Sequence, residues 1–200
     1  MAKLSDLIIS KVRVKLLKIF LSQPKNMFYV RELTRQTKEE INAVRRELLH
    51  LQTIGLLQSE KRGNRLYYTT RSVYPLFSEL SNLVAKSTGV GRLIIKNRSR
   101  LGFVKYAFIS QKLVRSIDRL PEDVDLMIVG KTIMPQISLL VKNLEKMLNL
   151  EINYSCMTED EFHYRKSHMD PFIIKVLLQP RVMLIGDEQQ MIEYVNPKNS

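Results

Sequence analysis

The sequence predicts two domains, the first of α+β type and the second of α/β type. Apolar residues recur at helical spacing through the first half and end in a hairpin pattern, whereas the second half alternates strand, helix and strand patterns. The segment 86–91 (KSTGVG) lies between the halves and holds two of the seven glycines. Because 200 residues suffice for two separate cores, we predict domains at 1–88 and 89–200.

The first domain is predicted to contain four helices and one hairpin. The helices cover 11–21, 30–35, 38–53 and 73–85, and the strands cover 56–60 and 65–70. One apolar stripe runs along the third helix, formed by Ile41, Val44, Leu48 and Leu51. The residues KRGN at 61–64 supply the glycine and asparagine of a tight turn. Three helices followed by a basic hairpin are the winged helix-turn-helix arrangement.

The third helix carries polar side chains opposite its apolar stripe. At about 100° per residue, Asn42 and Arg46 fall on the far side, with Ala43 beside them. Arginine matches the guanine edge, asparagine matches adenine, and a small alanine permits close approach to a base. Lys38 and Arg45 lie at the flanks, where they reach phosphates. We expect this face to bind double-stranded DNA; an ordinary solvated helix surface is the alternative.

The hairpin tip is also cationic. Arg62 and Arg65 flank Gly63 and Asn64, so we expect Arg62, Asn64 and Arg65 to follow the DNA backbone or to enter a minor groove. Tyr67 and Tyr68 come next, and strand alternation turns one of them inward to pack the hairpin.

The charge distribution favours a polyanionic partner for the first domain. The net charge is +12, and residues 1–88 hold 16 Lys and Arg against 7 Asp and Glu, whereas residues 89–200 hold 16 against 13. No apolar stretch approaches the ~18 residues of a membrane span. The single cysteine excludes an internal disulfide, and the first residues lack a secretory leader pattern. We therefore expect a cytoplasmic protein without a membrane partner.

The run FYVRELTRQTKEEINAVRRELLHLQTIGLLQSEKRGNRLYYTT resembles the winged-helix domain of bacterial and archaeal transcriptional regulators of the ArsR/MarR type. The resemblance covers about residues 10–85 and implies binding to double-stranded DNA as a homodimer. Two features depart from the pattern. The turn at 36–38 (QTK) lacks the usual glycine, and the cysteine and histidine ligands of metal-sensing relatives are absent.

The second domain contains a pair of alternating carboxylates. Strands are predicted at 106–110, 123–130 and 151–155, with a helix at 134–147. Asp123 and Asp125 project from one face of the second strand, and Glu151 could supply a third carboxylate. Carboxylates at this spacing form a clamp for Mg²⁺, as in two-metal phosphoryl-transfer sites.

KYAFIS and EDVDLMIVG resemble the first two motifs of the minimal nucleotidyltransferase domain. The resemblance covers about residues 89–190 and implies a mixed sheet with flanking helices, a nucleotide-like ligand and Mg²⁺-dependent nucleotidyl transfer. Ser110 and Gln111 replace the family's Gly-Ser, and Asn153 stands where a third acidic residue is expected. We therefore expect no metal and no catalysis here, with Asp123 and Asp125 kept as a capping or ion-pair element.

The sequence thus predicts a DNA-binding transcriptional regulator whose second domain serves ligand sensing or assembly. Two alternatives stay open. One is an active nucleotidyltransferase recruited by its winged helix, and the other is a winged helix that contacts only proteins. We expect three side chains to be structural or solvated residues, namely Cys156, His163 and His168. The sequence places neither histidine to activate Cys156 as a nucleophile or to bind a metal together with the other histidine.

Overall fold

The computed structural model describes residues 4–115 and 119–193. Their contacts divide the chain into two compact units, with the division between Thr88 and Gly89. Each unit combines helices with one β-sheet, so the fold is of mixed helix and sheet type with two sheets. Within the described ranges, no helix has the length and apolar character that crossing a bilayer requires.

The first unit places its helices around a small antiparallel sheet. Its elements are α1 (Leu4–Leu7), α2 (Lys11–Ser22), β1 (Phe28–Tyr29), α3 (Val30–Thr37), α4 (Ile41–Thr53), β2 (Leu57–Arg62), β3 (Arg65–Thr70) and α5 (Phe77–Ser87). The strand order is β1-β3-β2, with both pairs antiparallel. Arg62 pairs with Arg65, so the hairpin turn is the two residues Gly63 and Asn64.

The core of the first unit holds α4 by its apolar stripe. Val44, Leu48 and Leu51 are buried, as the helical period predicts. Glu47 fixes the same helix to α2, since its carboxylate accepts hydrogen bonds from Ser10 Oγ at 2.6 Å and from Arg13 Nε at 2.8 Å. Burial alone would raise the pKa of Glu47, but these two hydrogen bonds hold it below its ordinary value. The exposed face of α4 is therefore set in one orientation.

Several predicted boundaries in the first unit were wrong. The third helix begins at Ile41 instead of residue 38, because Lys38 adopts a left-handed conformation (φ 54°) that ends α3. Ile41 is consequently only half-buried and leaves the core stripe. The segment 86–91, at which the two domains were predicted to meet, is largely helical, since α5 continues to Ser87 and the next helix begins at Gly89.

The second unit is a four-stranded mixed sheet flanked by helices. Its elements are α6 (Gly89–Asn97), a 3₁₀ turn (Arg98–Arg100), β4 (Gly102–Ser110), α7 (Gln111–Arg115), β5 (Leu126–Thr132), α8 (Met134–Leu148), β6 (Tyr154–Met157), α9 (Glu159–Ser167), α10 (Pro171–Leu178), β7 (Arg181–Ile185) and α11 (Glu188–Ile192). The strand order is β6-β5-β4-β7. β5 and β6 are parallel and joined through α8, whereas β4 is antiparallel to both its neighbours.

The predicted carboxylate strands begin later than expected. β5 starts at Leu126 and β6 starts at Tyr154, so Asp123, Asp125 and Glu151 all lie in the segments that precede the strands. The backbone N–H of Asp123 donates to the carbonyl of Leu120 at 3.0 Å, which forms a turn in place of an extended strand. The expectation that a strand covers both aspartates was therefore wrong, and strand alternation does not set the directions of their side chains.

Candidate functional site

The solvent side of α4 carries the polar residues singled out for base contacts. Asn42, Arg45 and Arg46 are exposed, and Ala43 is half-buried between them and the core. Arg45 Nη1 lies 3.5 Å from Asn42 Oδ1, so these two side chains share one surface. The helix thus offers two guanidinium groups and one amide to a partner.

The start of α4 is occupied by a carboxylate that sequence reasoning missed. Glu40 is its N-cap, and the side chain accepts hydrogen bonds from the backbone N–H groups of Asn42 and Ala43, each at 2.8 Å. These bonds lower the pKa of Glu40, and the charges of Arg46 and Arg45 lower it further. The signal was the acidic residue directly before the helix. The positive end of α4 is therefore already neutralised by the protein itself.

Lys38 lies outside α4, in the turn between α3 and α4. Its backbone takes the conformation normally given to glycine, and its side chain is exposed. Lys15 from α2 anchors this turn, because its ammonium donates to the carbonyl of Thr37 at 2.7 Å and to Glu39 Oε1 at 2.6 Å. The turn is held in place, and the exposed side chain of Lys38 extends from the turn and not from the helix.

The two arginines at the hairpin tip have different interaction partners. Arg62 forms two hydrogen bonds with the carboxylate of Glu60, at 3.0 and 3.1 Å, which raise the pKa of Arg62 and lower that of Glu60. Arg65 instead lies over the ring of Tyr29, 4.8 Å from its centroid. Asn64 is exposed at the turn. Part of the charge of Arg62 is therefore balanced within the hairpin, whereas Arg65 is oriented by an aromatic ring.

The two hairpin tyrosines divide as the alternation predicts. Tyr68 is 7% exposed and belongs to the core of the first unit. Tyr67 is half-buried and meets the ring of Tyr29 edge-on, with centroids 5.6 Å apart.

A groove of about 1070 Å³ separates α3, α4 and the hairpin. Its cationic lining residues are Arg31, Arg35, Arg45 and Arg65, and the lining contains no acidic residue. Leu49 (63% exposed) and Leu66 (40% exposed) supply apolar surface. Sequence reasoning missed Arg31 and Arg35, although their spacing of four on a predicted helix indicated a shared face. The groove can bind an extended anionic chain.

In the second unit, Asp123 is buried and already has a cationic partner. Only 4% of its surface is exposed, and Lys112 Nζ donates to its Oδ2 at 2.6 Å. The N–H of Leu120 donates to the same oxygen at 2.8 Å, and Gln179 lies 3.4 Å from the other. The hydrogen bond from Lys112 is the main cause of the lowered pKa of Asp123.

Asp125 is more deeply buried, at 1% exposure. Its Oδ2 accepts from the guanidinium of Arg119 and from the backbone N–H of Asn153, the latter at 3.0 Å. Its Oδ1 has no hydrogen-bond partner among the described residues. Arg119 also donates to the backbone carbonyl of Glu151 at 3.1 Å, so one side chain links the two segments that precede β5 and β6.

The three carboxylates considered as vestigial ligands are not brought together. Asp123 lines a cavity of about 410 Å³ with Asn153, Tyr154 and Phe172. The exposed Glu151 instead lines a separate cavity of about 450 Å³ with Glu145 and Lys146. The proposal that Glu151 completes a ligand set with the two aspartates therefore finds no geometric counterpart.

These residues do not fit a Mg²⁺ pair. Each aspartate already binds an ammonium or guanidinium group, whose positive charge lies where a cation would be bound. The described chain contains no group of three His, Cys, Asp or Glu side chains arranged to hold a metal. Ser110 Oγ accepts from the N–H of Lys112 at 3.1 Å and so caps α7.

The remaining nucleophilic and metal-ligating side chains are dispersed. Burial raises the pKa of the Cys156 thiol to about 11, so it is protonated at neutral pH. His168 stacks on Tyr164, with centroids 4.1 Å apart. His163 packs against Phe162, and burial lowers its pKa.

Comparison with known proteins identified no relative: no protein-family model, curated protein or solved structure matches the chain. The function is therefore inferred from the residues and their arrangement.

Proposed function

We propose that the protein is a transcriptional regulator that binds double-stranded DNA through residues 1–88. The observation that carries this proposal is the groove between α3, α4 and the hairpin, because four arginines line it without an acidic residue. The element order α2, β1, α3, α4, β2, β3 is also the order of a winged helix-turn-helix. In that arrangement α4 enters the major groove and the hairpin lies against the backbone.

Base contacts are assigned to the exposed face of α4. Arg46 and Asn42 reach base edges, and Ala43 permits the close approach that these contacts need. Phosphate contacts are assigned to Lys38, Arg45 and the hairpin residues Arg62, Asn64 and Arg65. Arg31 and Arg35 extend this set along α3, since they line the same groove as Arg45.

The second unit is proposed to serve sensing of a nucleotide-like ligand or assembly of the regulator as a homodimer in the cytoplasm. Its mixed sheet, in the order β6-β5-β4-β7 with flanking helices, supports a nucleotidyltransferase-like fold. The pairing of Asp123 with Lys112 and of Asp125 with Arg119 supports a role other than catalysis. Mg²⁺-dependent incorporation of a labelled nucleoside triphosphate, abolished by Asp123→Asn, would contradict that role.

The DNA-binding proposal is tested by selecting a duplex from a random-sequence pool and measuring affinity by fluorescence anisotropy. Arg46→Ala is expected to weaken binding to the selected site by about 1–3 kcal/mol and to relax its sequence preference. Arg65→Ala is expected to weaken binding to every duplex. It is also expected to reduce the slope of log affinity against log salt concentration by about the amount that one phosphate contact contributes. Lys86→Ala, an exposed cation on α5, is the matched control.

Unchanged affinity in both Arg46→Ala and Arg65→Ala would refute the proposal. A loss of affinity as large in Lys86→Ala would show attraction by net charge alone and would equally refute an interface on α4 and the hairpin.

A further inference from the structure

The second unit has a strongly uneven charge distribution. Residues 89–117 contain seven Lys and Arg and no Asp or Glu, whereas residues 118–200 contain nine against thirteen. The net charge of the whole unit is therefore small, although the unit contains a basic segment that covers α6, the 3₁₀ turn, β4 and α7. A segment of this kind produces a positive potential wherever its side chains reach solvent together.

Three cations of this unit lie around the start of β4. We define the basic edge as Arg98, Arg100 and Lys131 together with Phe103, and all four side chains are exposed. Within the described residues, none of its three cations forms an ion pair. By contrast, Lys105, two residues after Phe103, is paired with Glu159 at 2.9 Å. The three charges of the basic edge are thus available to a partner.

The backbone brings the separate segments of the basic edge together. Phe103 on β4 is directly opposite Lys131 on β5 in the antiparallel ladder, so the two side chains leave the same face of the sheet. The N–H of Ile133 donates to the carbonyl of Leu101 at 2.8 Å, which fixes the end of the 3₁₀ turn beside the end of β5. The 3₁₀ turn that carries Arg98 and Arg100 therefore ends beside the strand positions of Phe103 and Lys131.

Phe103 is the unusual member of the basic edge. It is 69% exposed, although it stands on a strand whose later residues Tyr106–Ser110 are buried. The preceding residue, Gly102, has φ 101°, and a Cβ at this position would lie 2.4 Å from the carbonyl oxygen of Lys131. The glycine permits this close approach of the strands, so the ring is presented from a fixed backbone.

We propose that the basic edge binds single-stranded nucleic acid, with an unpaired base stacked on Phe103 and the neighbouring phosphates contacted by its three cations. An exposed aromatic ring among lysines and arginines is the combination that stacks bases and neutralises their backbone. The cations alone would suit duplex and single strand alike. The exposed ring favours the single strand, because a base paired within a duplex cannot present its face to it. This site is separate from the duplex-binding surface of the first unit and does not depend on it.

The test uses the full chain and two fluorescent probes, a single-stranded oligothymidylate of about 12 nucleotides and a duplex of the same length. Phe103→Ala is expected to weaken binding of the single strand at least about fivefold and to leave duplex binding unchanged. Phe103→Tyr is expected to retain binding, because the ring is kept. Arg98→Ala with Arg100→Ala is expected to weaken binding and to reduce the salt slope by about 0.7 for each phosphate that is no longer neutralised.

Matched controls come from α8 in the same unit. Leu139→Ala removes an apolar side chain of comparable exposure (57%), and Lys142→Ala with Lys146→Ala removes two exposed cations of one helix face. Neither is expected to change the affinity for the single strand. Thermal unfolding of each variant verifies folding, and the high exposure of Phe103 predicts an unchanged Tm.

The outcomes separate this proposal from the duplex-binding proposal. The site is overturned if neither Phe103→Ala nor the Arg98/Arg100 variant changes the affinity for the single strand. It is also overturned if Arg46→Ala loses that affinity while Phe103→Ala retains it. Absence of duplex binding, with single-strand binding still sensitive to Phe103, would refute the function assigned to the first unit and leave the basic edge supported.

Discussion

Lys112 Nζ donates a hydrogen bond to Asp123 Oδ2 across 2.6 Å, and the backbone N–H of Leu120 donates to the same oxygen. A flexible ammonium group thus satisfies a carboxylate that is 4% exposed. Because Lys112 is on α7 and Asp123 precedes β5, the pair also closes the connection between β4 and β5. The charge of Asp123 therefore contributes to the stability of the second unit, and this contribution can be measured.

The first prediction concerns the stability of this pair at low pH. The folded-state pKa of Asp123 is lowered, mainly by Lys112, so its contribution is fully present above the unfolded carboxyl pKa of about 3.9 and is lost as pH falls through the folded value. Asp123→Asn should lower stability at pH 7 by about 1–2 kcal/mol, a modest figure because Lys112 is one-third exposed. Urea unfolding of both proteins at pH 7 and near pH 3 measures this, and equal pH dependence would contradict it.

The second prediction concerns Arg119. Its guanidinium is the only cationic partner of Asp125 in the described part of the chain, and the carboxylate is 1% exposed. Arg119→Met should therefore destabilise the second unit by about 3 kcal/mol, because a buried charge loses its counter-ion. Adding Asp125→Asn should recover part of this loss. A double variant no more stable than Arg119→Met, measured by thermal unfolding, would argue against a charge effect.

The third prediction concerns the strained turn at Lys38. A lysine at φ 54° costs about 1 kcal/mol relative to glycine, so Lys38→Gly should raise the stability of the first unit by about that amount. Lys38→Ala keeps the strain while removing the charge and serves as the control. Equal Tm values for the two variants would show that relief of the left-handed conformation does not cause the gain in stability.

The fourth prediction concerns the carboxylate at the start of α4. The lowered pKa of Glu40 keeps it ionised at neutral pH, beside Arg45 and Arg46. Glu40→Gln should tighten duplex binding severalfold at low salt, because it removes repulsion between Glu40 and phosphate, while the weakened cap lowers Tm. Glu79→Gln, an exposed acidic residue on α5, is the control. Duplex affinity that falls in Glu40→Gln would mean that the carboxylate contributes to binding by ordering the helix.

Much of the first unit could be predicted from its sequence. The stripe Val44, Leu48 and Leu51 specifies which side of α4 is buried, because residues at that spacing share one helix face whatever surrounds them. The hairpin followed from Gly63 and Asn64 between two strand patterns. The start of α4 could not be predicted equally well, because it depends on the left-handed Lys38, a conformation that the sequence gives no reason to expect.

The ion pairs of Asp123 and Asp125 could not be predicted from the sequence. The spacing of Asp123 and Asp125 suggested a metal clamp, but Asp123 is paired with Lys112 on α7 and Asp125 is paired with Arg119, six residues earlier in the chain. Arg119 in turn connects Asp125 to Glu151, which is distant in sequence. The same holds for the groove of the first unit and for the basic edge, since only folding places Arg31 and Arg65 in one groove and Phe103 opposite Lys131. Period, charge and turn residues act over a few neighbouring positions, so the sequence by itself determined the elements and the basic character of this protein. Which charges pair and which stay exposed is decided by contacts between distant segments, because only tertiary packing sets their distances and burial.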